Sequence, residues 1–553
     1  MQHKRDRGYD PDVPPARRLR ANVVDLFMSG HLSGNRTHEL LADATAAGAE
    51  GVRDLAPGAS SHASRDLTRR LLKGCQWPEP YFFPCRVWNI RSQREELVDM
   101  PMLLPHELVQ ALALARSSTI EELCSTANMS ANTKAHVERI KADIGCAALL
   151  GMGLWGDGVP FNYDRSESIE VLTVSLPGLS SRLRIPLIGV GKRYSLGSRT
   201  WDDVCRVVAW SFQACLQARM PTKRHDGSDF GHSERARGQL AGQSIATRCI
   251  LAEVRGDWAW LKSIFHFPQF NEKKGCCWKC RVLPDGIRDC GETAAWRSQP
   301  LSHFDFMLRL NEQNIEMNPL FSSPFLTTSQ FLIDWLHVAD LGVGADVAGN
   351  VLLTVSKAIP GGNAKQRVQH LYEQLVTWYD LQGSTDRLQS LTTTMIKQPN
   401  KPPKLRGSAA QIRGTIGFLP MVVAAWLDLD SDEGKCVLAM ARHLHACYQC
   451  LVNYDAHELR ENSRKLCVLW AAMEASQEEG SLLWRVKPKM HLWQHMCEES
   501  SSSPALAWTY ADEDIAGALA TMSQRRGGAN RTKTIALTLL QKFRAKYTVP
   551  ALP

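Results

Sequence analysis

The chain has 553 residues, of which 44% are hydrophobic and 22% charged, with a formal net charge of +8. Such a length accommodates roughly two to four domains with buried cores, and the composition is that of an ordinary globular protein. No apolar run approaches the roughly 18 residues of a membrane span, and the 16 cysteines stand mostly singly inside apolar patterns, as thiols of a reducing compartment do rather than as a disulfide framework.

The first 21 residues carry six basic side chains, Lys4, Arg5, Arg7, Arg17, Arg18 and Arg20, among prolines and aspartates. They read as a disordered basic arm, and they lack the apolar core of a signal peptide. Residues 22–145 read as a mainly helical N-terminal region, with segments such as THELLADATAAG and PHELVQALALA punctuated by Gly and Ser.

The pattern changes near residue 147. AALLGMGLWGD (147–157), SIEVLTVSLPG (168–178) and RLRIPLIGVG (182–191) are short apolar runs bounded by Gly, Asp and Pro, and they predict three strands. Residues 201–219 then place Val204, Val207, Val208, Phe212, Cys215 and Leu216 at helical spacing. A further strand-like run, 245–257, ends on Asp257 as the first ends on Asp157. From about 330 to 500 the chain reads as helical, with a stripe of period 3.6 through Val368, Leu371, Tyr372, Leu375 and Tyr379. The longest apolar stretch identified, Ile416–Leu427, is interrupted by Pro420 and reads as a buried helix.

Strand, strand, strand, helix, strand, with carboxylates on the first and fourth strands, is the order of a ribonuclease-H-like core. The chemistry explains why acids belong there. Two divalent ions about 3.5–4 Å apart need carboxylates from adjacent strands, and hard ions such as Mg²⁺ or Mn²⁺ take oxygen ligands. The expected fold class is therefore α/β. It consists of a helical N-terminal region, a ribonuclease-H-like core with a Cys-x-x-Cys segment (146–330), a helical insertion (331–500) and a C-terminal part (501–553) that completes the core.

Further motifs follow in a set order. GDGVP holds Asp157, GDW holds Asp257, and CWKC holds Cys277 and Cys280. DWLH holds Asp334 and His337, PKMHLWQH holds His491 and His495, and TYADEDIAG holds Glu513. Each is common alone. In this order, over roughly residues 145–520, they resemble the DDE transposases of the CACTA and Plavaka type. The resemblance implies a nuclear enzyme that assembles on DNA as a homo-oligomer and cleaves and joins strands. Asp157, Asp257 and Glu513 would be its catalytic, metal-holding acids. The alternative is a transposase-derived, catalytically inactive DNA-binding or assembly protein. A third possibility is a helical interaction protein in which the strand-like runs are buried helices.

Several assignments stay open in the sequence. Asp512 and Asp514 flank Glu513, which register favours, and Asp164 competes with Asp157. Cys277 and Cys280 have the spacing of half a tetrahedral zinc site. Asp334 with His337, or His337 with Cys276 or Cys290, are the candidates to complete it. Cys447 and Cys450 share the spacing but sit in a helical pattern, where they are simply neighbours. His491 and His495, four apart, would contact the active site or the DNA backbone, with a core role expected for at least one. The C-terminal stretch carries Arg525, Arg526, Arg531, Lys533, Lys542 and Arg544 without an acid, and would bind phosphates non-specifically. Its Ile535, Leu539 and Phe543 share one apolar helical face.

Overall fold

A computed structural model of the chain describes residues 14–55, 62–115, 119–160, 166–179, 183–523, 532–547 and 549. The fold is mixed α/β, with many helices around a small mixed sheet. The strands among the described residues are β1 (Tyr81–Asn89), β2 (Arg94–Met102), β3 (Leu149–Pro160), β4 (Ser168–Ser175), β5 (Arg184–Gly191) and β6 (Arg248–Gly256). The central sheet has the order β5-β4-β3-β6. The first two pairings are antiparallel and β3 with β6 is parallel. The parallel pair is joined through the helix Ser198–Gln217, as a crossover requires.

Burial on both faces explains why these strands read as continuous apolar runs. On β6, Cys249 and Leu251 join the main core, whereas Ile250 and Ala252 pack with Val137 and Ile140 of the helix Ala131–Asp143. The main core continues without a break into the helices from Leu336 to Glu499.

The N-terminal region is mainly helical, and it also contains a pair of strands that the sequence reading does not include. β1 and β2 form an antiparallel hairpin, with Tyr81, Phe83, Cys85 and Val87 buried in alternation. Pro84 within β1 and the charged SQREE run at the turn obscure that period of two. The hairpin continues into the core where the Leu103 amide donates to the Leu187 carbonyl of β5 at 2.9 Å. The end of the basic arm is folded as well. Pro15–Met28 is a helix that buries Val23, Phe27 and Met28, and Arg20 pairs with Asp54 at 2.5 Å. Residues 1–13 lie outside the described residues.

One helical run, Leu336–Ala358, is apolar and long enough to cross a membrane by composition, although 83% of its most apolar window is buried inside the protein. Asp340 and Asp346 interrupt the run in the sequence. Both are buried and paired inside the protein, Asp340 with Arg413 and Asp346 with Lys487.

Candidate active site and a neighbouring metal centre

The parallel register pairs Gly156 of β3 with Gly256 of β6, so the next residues, Asp157 and Asp257, end up side by side. Both glycines are needed. A Cβ at Gly156 would lie 2.1 Å from the Trp260 ring, and one at Gly256 2.6 Å from it. The indole thus crosses the paired glycines beneath the acids. Asp157 Oδ1 accepts from the Gly158 amide at 2.6 Å. Asp257 caps the helix Trp258–Phe265, its Oδ1 accepting from the Trp260 amide at 2.6 Å.

Glu513 arrives from the helix Tyr510–Ser523, and its neighbours set its direction. Asp512 is fully buried between Arg255 of β6, at 2.8 Å, and Arg184 of β5, at 2.6 Å. Asp514 is exposed. With Asp512 held against the sheet, the helical phase turns Glu513 towards Asp157. Asp164 lies outside the described residues.

His337 completes the group, and the sequence reading missed this role. Its Nδ1 lies 2.6 Å from Asp334 Oδ2, and its Nε2 lies 3.7 Å from Glu513 Oε1. Asp334 is buried and tightly held. It accepts from the Leu336 and His337 amides at 3.1 Å each, from the Thr509 amide at 3.1 Å and from the Thr509 hydroxyl at 2.8 Å. Donor atoms of Asp157, His337 and Glu513 all fall within 4.8 Å of one another. Asp257 stands outside that trio but close enough for its charge to act on Asp157.

The electrostatics follow from crowding acids in a part-buried site. Burial, then the Asp257 charge, push Asp157 up to about 6. Burial, then Asp157, push Glu513 up to about 8. Burial opposes charge on His337, but the Asp334 hydrogen bond and the carboxylates around it raise it to about 9. Burial would raise Asp334 as well, yet the imidazole and the Thr509 hydroxyl hold it below the usual carboxylate range. A cleft of about 220 Å³ opens here, lined by Asp257, Asp334, His337 and Lys489 and walled by Trp258 and Phe270. Lys489 donates to the His337 carbonyl at 2.8 Å, and burial lowers its ammonium below the usual range.

Asp334 and His337 are therefore not the partners of the cysteine pair. Cys277 and Cys280 meet His491 and His495 instead, all four buried and with donor atoms within 4.8 Å of one another. Cys280 Sγ lies 3.3 Å from both His491 Nε2 and His495 Nε2, which are 3.2 Å apart. Donors around a tetrahedral zinc ion stand roughly 3.3–3.8 Å apart, given bond lengths of about 2.0–2.3 Å. The four side chains can hold a metal such as zinc. Glu499 Oε1 lies 2.5 Å from His495 Nδ1, the orienting carboxylate that metal-bound histidines typically have. Cys276 and Cys290 are turned elsewhere, to the Glu272 and Arg288 carbonyls. Cys447 and Cys450 sit within or at the end of the helix Asp432–Gln449, away from this group.

His491 and His495 are 0% and 3% exposed, which removes them as DNA contacts. The i,i+4 spacing was the signal for a shared ligand face, since both lie on the helix Lys489–Glu499. The described basic residues of the C-terminal stretch have partners within the protein. Lys533 lies 4.0 Å from Asp99, Lys542 donates to the Met522 carbonyl at 3.0 Å, and Arg544 donates to the Trp77 carbonyl at 3.4 Å. Ile535, Leu539 and Phe543 are buried along the helix Thr532–Lys546, which packs on β2 and β5. Arg525, Arg526 and Arg531 lie outside the described residues. Comparison with protein-family models and with curated proteins finds no match to this chain.

Proposed function

We propose that the chain is a transposase-like enzyme of the DDE type, built on a ribonuclease-H-like core, that cleaves DNA strands and transfers their ends. The observation that carries this reading is the convergence of Asp157 and Glu513, from sequence positions far apart, beside an Asp257 set level with Asp157 by the Gly156–Gly256 register. The strand order, with an antiparallel β5-β4-β3 set and β6 parallel to β3, supports the same core.

The acids fit divalent cations such as Mg²⁺ or Mn²⁺. Glu513 Oε1 is buried without a hydrogen-bond partner, the Asp157 charge raises the affinity of Glu513 for a proton, and the Asp257 charge raises that of Asp157. Positive charge between them relieves that repulsion. Asp157 lies beside Glu513 and feels the charge of Asp257, so it would hold a cation together with these acids. When bound, two such ions activate the attacking oxygen and stabilise the leaving one in an in-line displacement. Water, then a DNA 3′-hydroxyl, is the nucleophile.

The protein's own residues supply the setting. Asp512, Arg255 and Arg184 hold the Glu513 helix to the sheet. Lys489, in the cleft beside Asp257, offers a cation to a phosphate entering there. The paired Cys and His residues brace the helix that carries Lys489. The protein would work in the nucleus, as a homo-oligomer assembled on DNA.

The test is cleavage of supercoiled plasmid with Mg²⁺ or Mn²⁺ by the full chain. Nicking that needs the cation and disappears in Asp157→Asn, Asp257→Asn and Glu513→Gln supports the reading. DNA binding without cleavage, unchanged by these substitutions, would identify a catalytically inactive DNA-binding protein instead.

A further inference from the structure

We infer that His337 is a nitrogen ligand of the cation held between Asp157 and Glu513, and that this centre takes Mn²⁺ in preference to Mg²⁺. The inference rests on the reading of Asp157 and Glu513 as metal-holding acids. It adds a ligand, a positioning system for that ligand and a choice of ion.

Three facts carry it. The first is proximity, since His337 donates one of the three atoms that fall within 4.8 Å of one another. The second is orientation. Nδ1 faces the Asp334 carboxylate at 2.6 Å, so the Nδ1 proton is committed there and Nε2 is the nitrogen that faces Glu513. The third is rigidity. Asp334 cannot turn away, because Thr509 and two backbone amides of its own chain segment already hold both its oxygens. Thr509 immediately precedes the helix that carries Glu513, so one connection ties the imidazole to the carboxylate it would share an ion with.

Carboxylate, histidine, cation is the usual outer arrangement of a histidine metal ligand, which it fixes in tautomer and direction. His337 is the second residue of a π-helical segment, Leu336–Gly344. Such segments are frequent where side chains are aimed at functional sites. Mg²⁺ demands oxygen ligands in near-ideal octahedral geometry, whereas imidazole suits first-row transition ions.

The rival role for His337 is that of a charged counter-ion that neutralises the acids without binding metal. The two roles predict opposite signs. A counter-ion, when removed, leaves the acids more negative and tightens cation binding. A ligand, when removed, weakens it.

The experiment is Mn²⁺ titration of the full chain, pre-loaded with zinc at the cysteine centre, followed by the electron paramagnetic resonance of free Mn²⁺. Mg²⁺ affinity is then read by competition. His337→Ala should weaken Mn²⁺ binding by about 10–100-fold or more, and Asp334→Asn by about 10–100-fold, while Mg²⁺ binding changes much less. Wild-type protein, with no substitution at all, should show nitrogen couplings to Mn²⁺ by electron spin echo modulation. Absent couplings, or unchanged or tighter Mn²⁺ binding in His337→Ala, overturn the ligand role. If Asp157→Asn and Glu513→Gln abolish Mn²⁺ binding in the same series, the functional reading survives that loss. If they too leave binding unchanged, both readings fall.

Discussion

Replacing Arg255 by Met tests whether the buried ion network holds the Glu513 helix. Arg255 is 2% exposed and reaches Asp512 at 2.8 Å, Glu253 at 3.1 Å, the Ser175 hydroxyl at 3.1 Å and the Trp508 carbonyl at 3.0 Å. Removing one partner of a buried pair costs about 3–5 kcal/mol, because the other charge is left uncompensated. Two features place this case at the lower end. Asp512 keeps Arg184 at 2.6 Å, and Glu253, already raised by burial, escapes by taking up a proton. About 3 kcal/mol is therefore expected near neutral pH, and less in mild acid, where that proton costs less. Hydrogen exchange of peptides covering 248–256 and 508–523 reads the loss locally, and about 3 kcal/mol corresponds to a roughly hundredfold loss of protection. Glu253→Gln with Arg255→Met should recover part of it. A loss below about fivefold, or a double variant no better than the single one, would refute the argument. Asp514→Asn, at an exposed position on the same helix, should change nothing measurable.

Two further outcomes concern the metal centre and acid stability. The protein should purify with one equivalent of zinc, and Cys277→Ser or a chelator should remove it. Free zinc a thousandfold above its dissociation constant stabilises by about 4 kcal/mol through mass action, so the unfolding midpoint should fall on chelation. Metal analysis showing none, with no response to added zinc, would dispose of the site. His106 is buried against Ser211, and burial lowers its pKa to about 3. The unfolded chain, with a histidine near 6.5, binds the proton that the folded state refuses. Stability is therefore unaffected above that value and declines as pH falls from about 6.5 towards 3, by up to about 1.4 kcal/mol per pH unit from this residue. His106→Gln should flatten the decline between pH 6 and 4.5, and an unchanged slope in urea unfolding would contradict this.

Much of the core was legible because its signals are local. A strand buried on both faces writes itself as an apolar run, so β3 to β6 and the helix between β5 and β6 stand near their expected positions, although β3 runs on past Asp157 to Pro160 and Asp257 stands just beyond the end of β6. The N-terminal hairpin was not read. Its alternation is carried by only four buried side chains on β1, interrupted by the half-buried Pro84 and flanked by a charged turn.

The sequence by itself determined which residues could do chemistry: the acids at strand ends, the Cys-x-x-Cys pair, the DWLH and HLWQH spacings and the acidic helix start. Only the tertiary structure decided how they group. The choice of Glu513 over its neighbours depends on helical phase, and that phase is set by Arg255 and Arg184, on strands more than 250 residues away in sequence. The two histidine motifs exchanged their expected roles for the same kind of reason. Spacing states which side chains share a face, but a metal site needs four donors at one point in space. His495 meets Cys280 across 215 residues, while His337 turns to the acids because Asp334 and Thr509 hold it there.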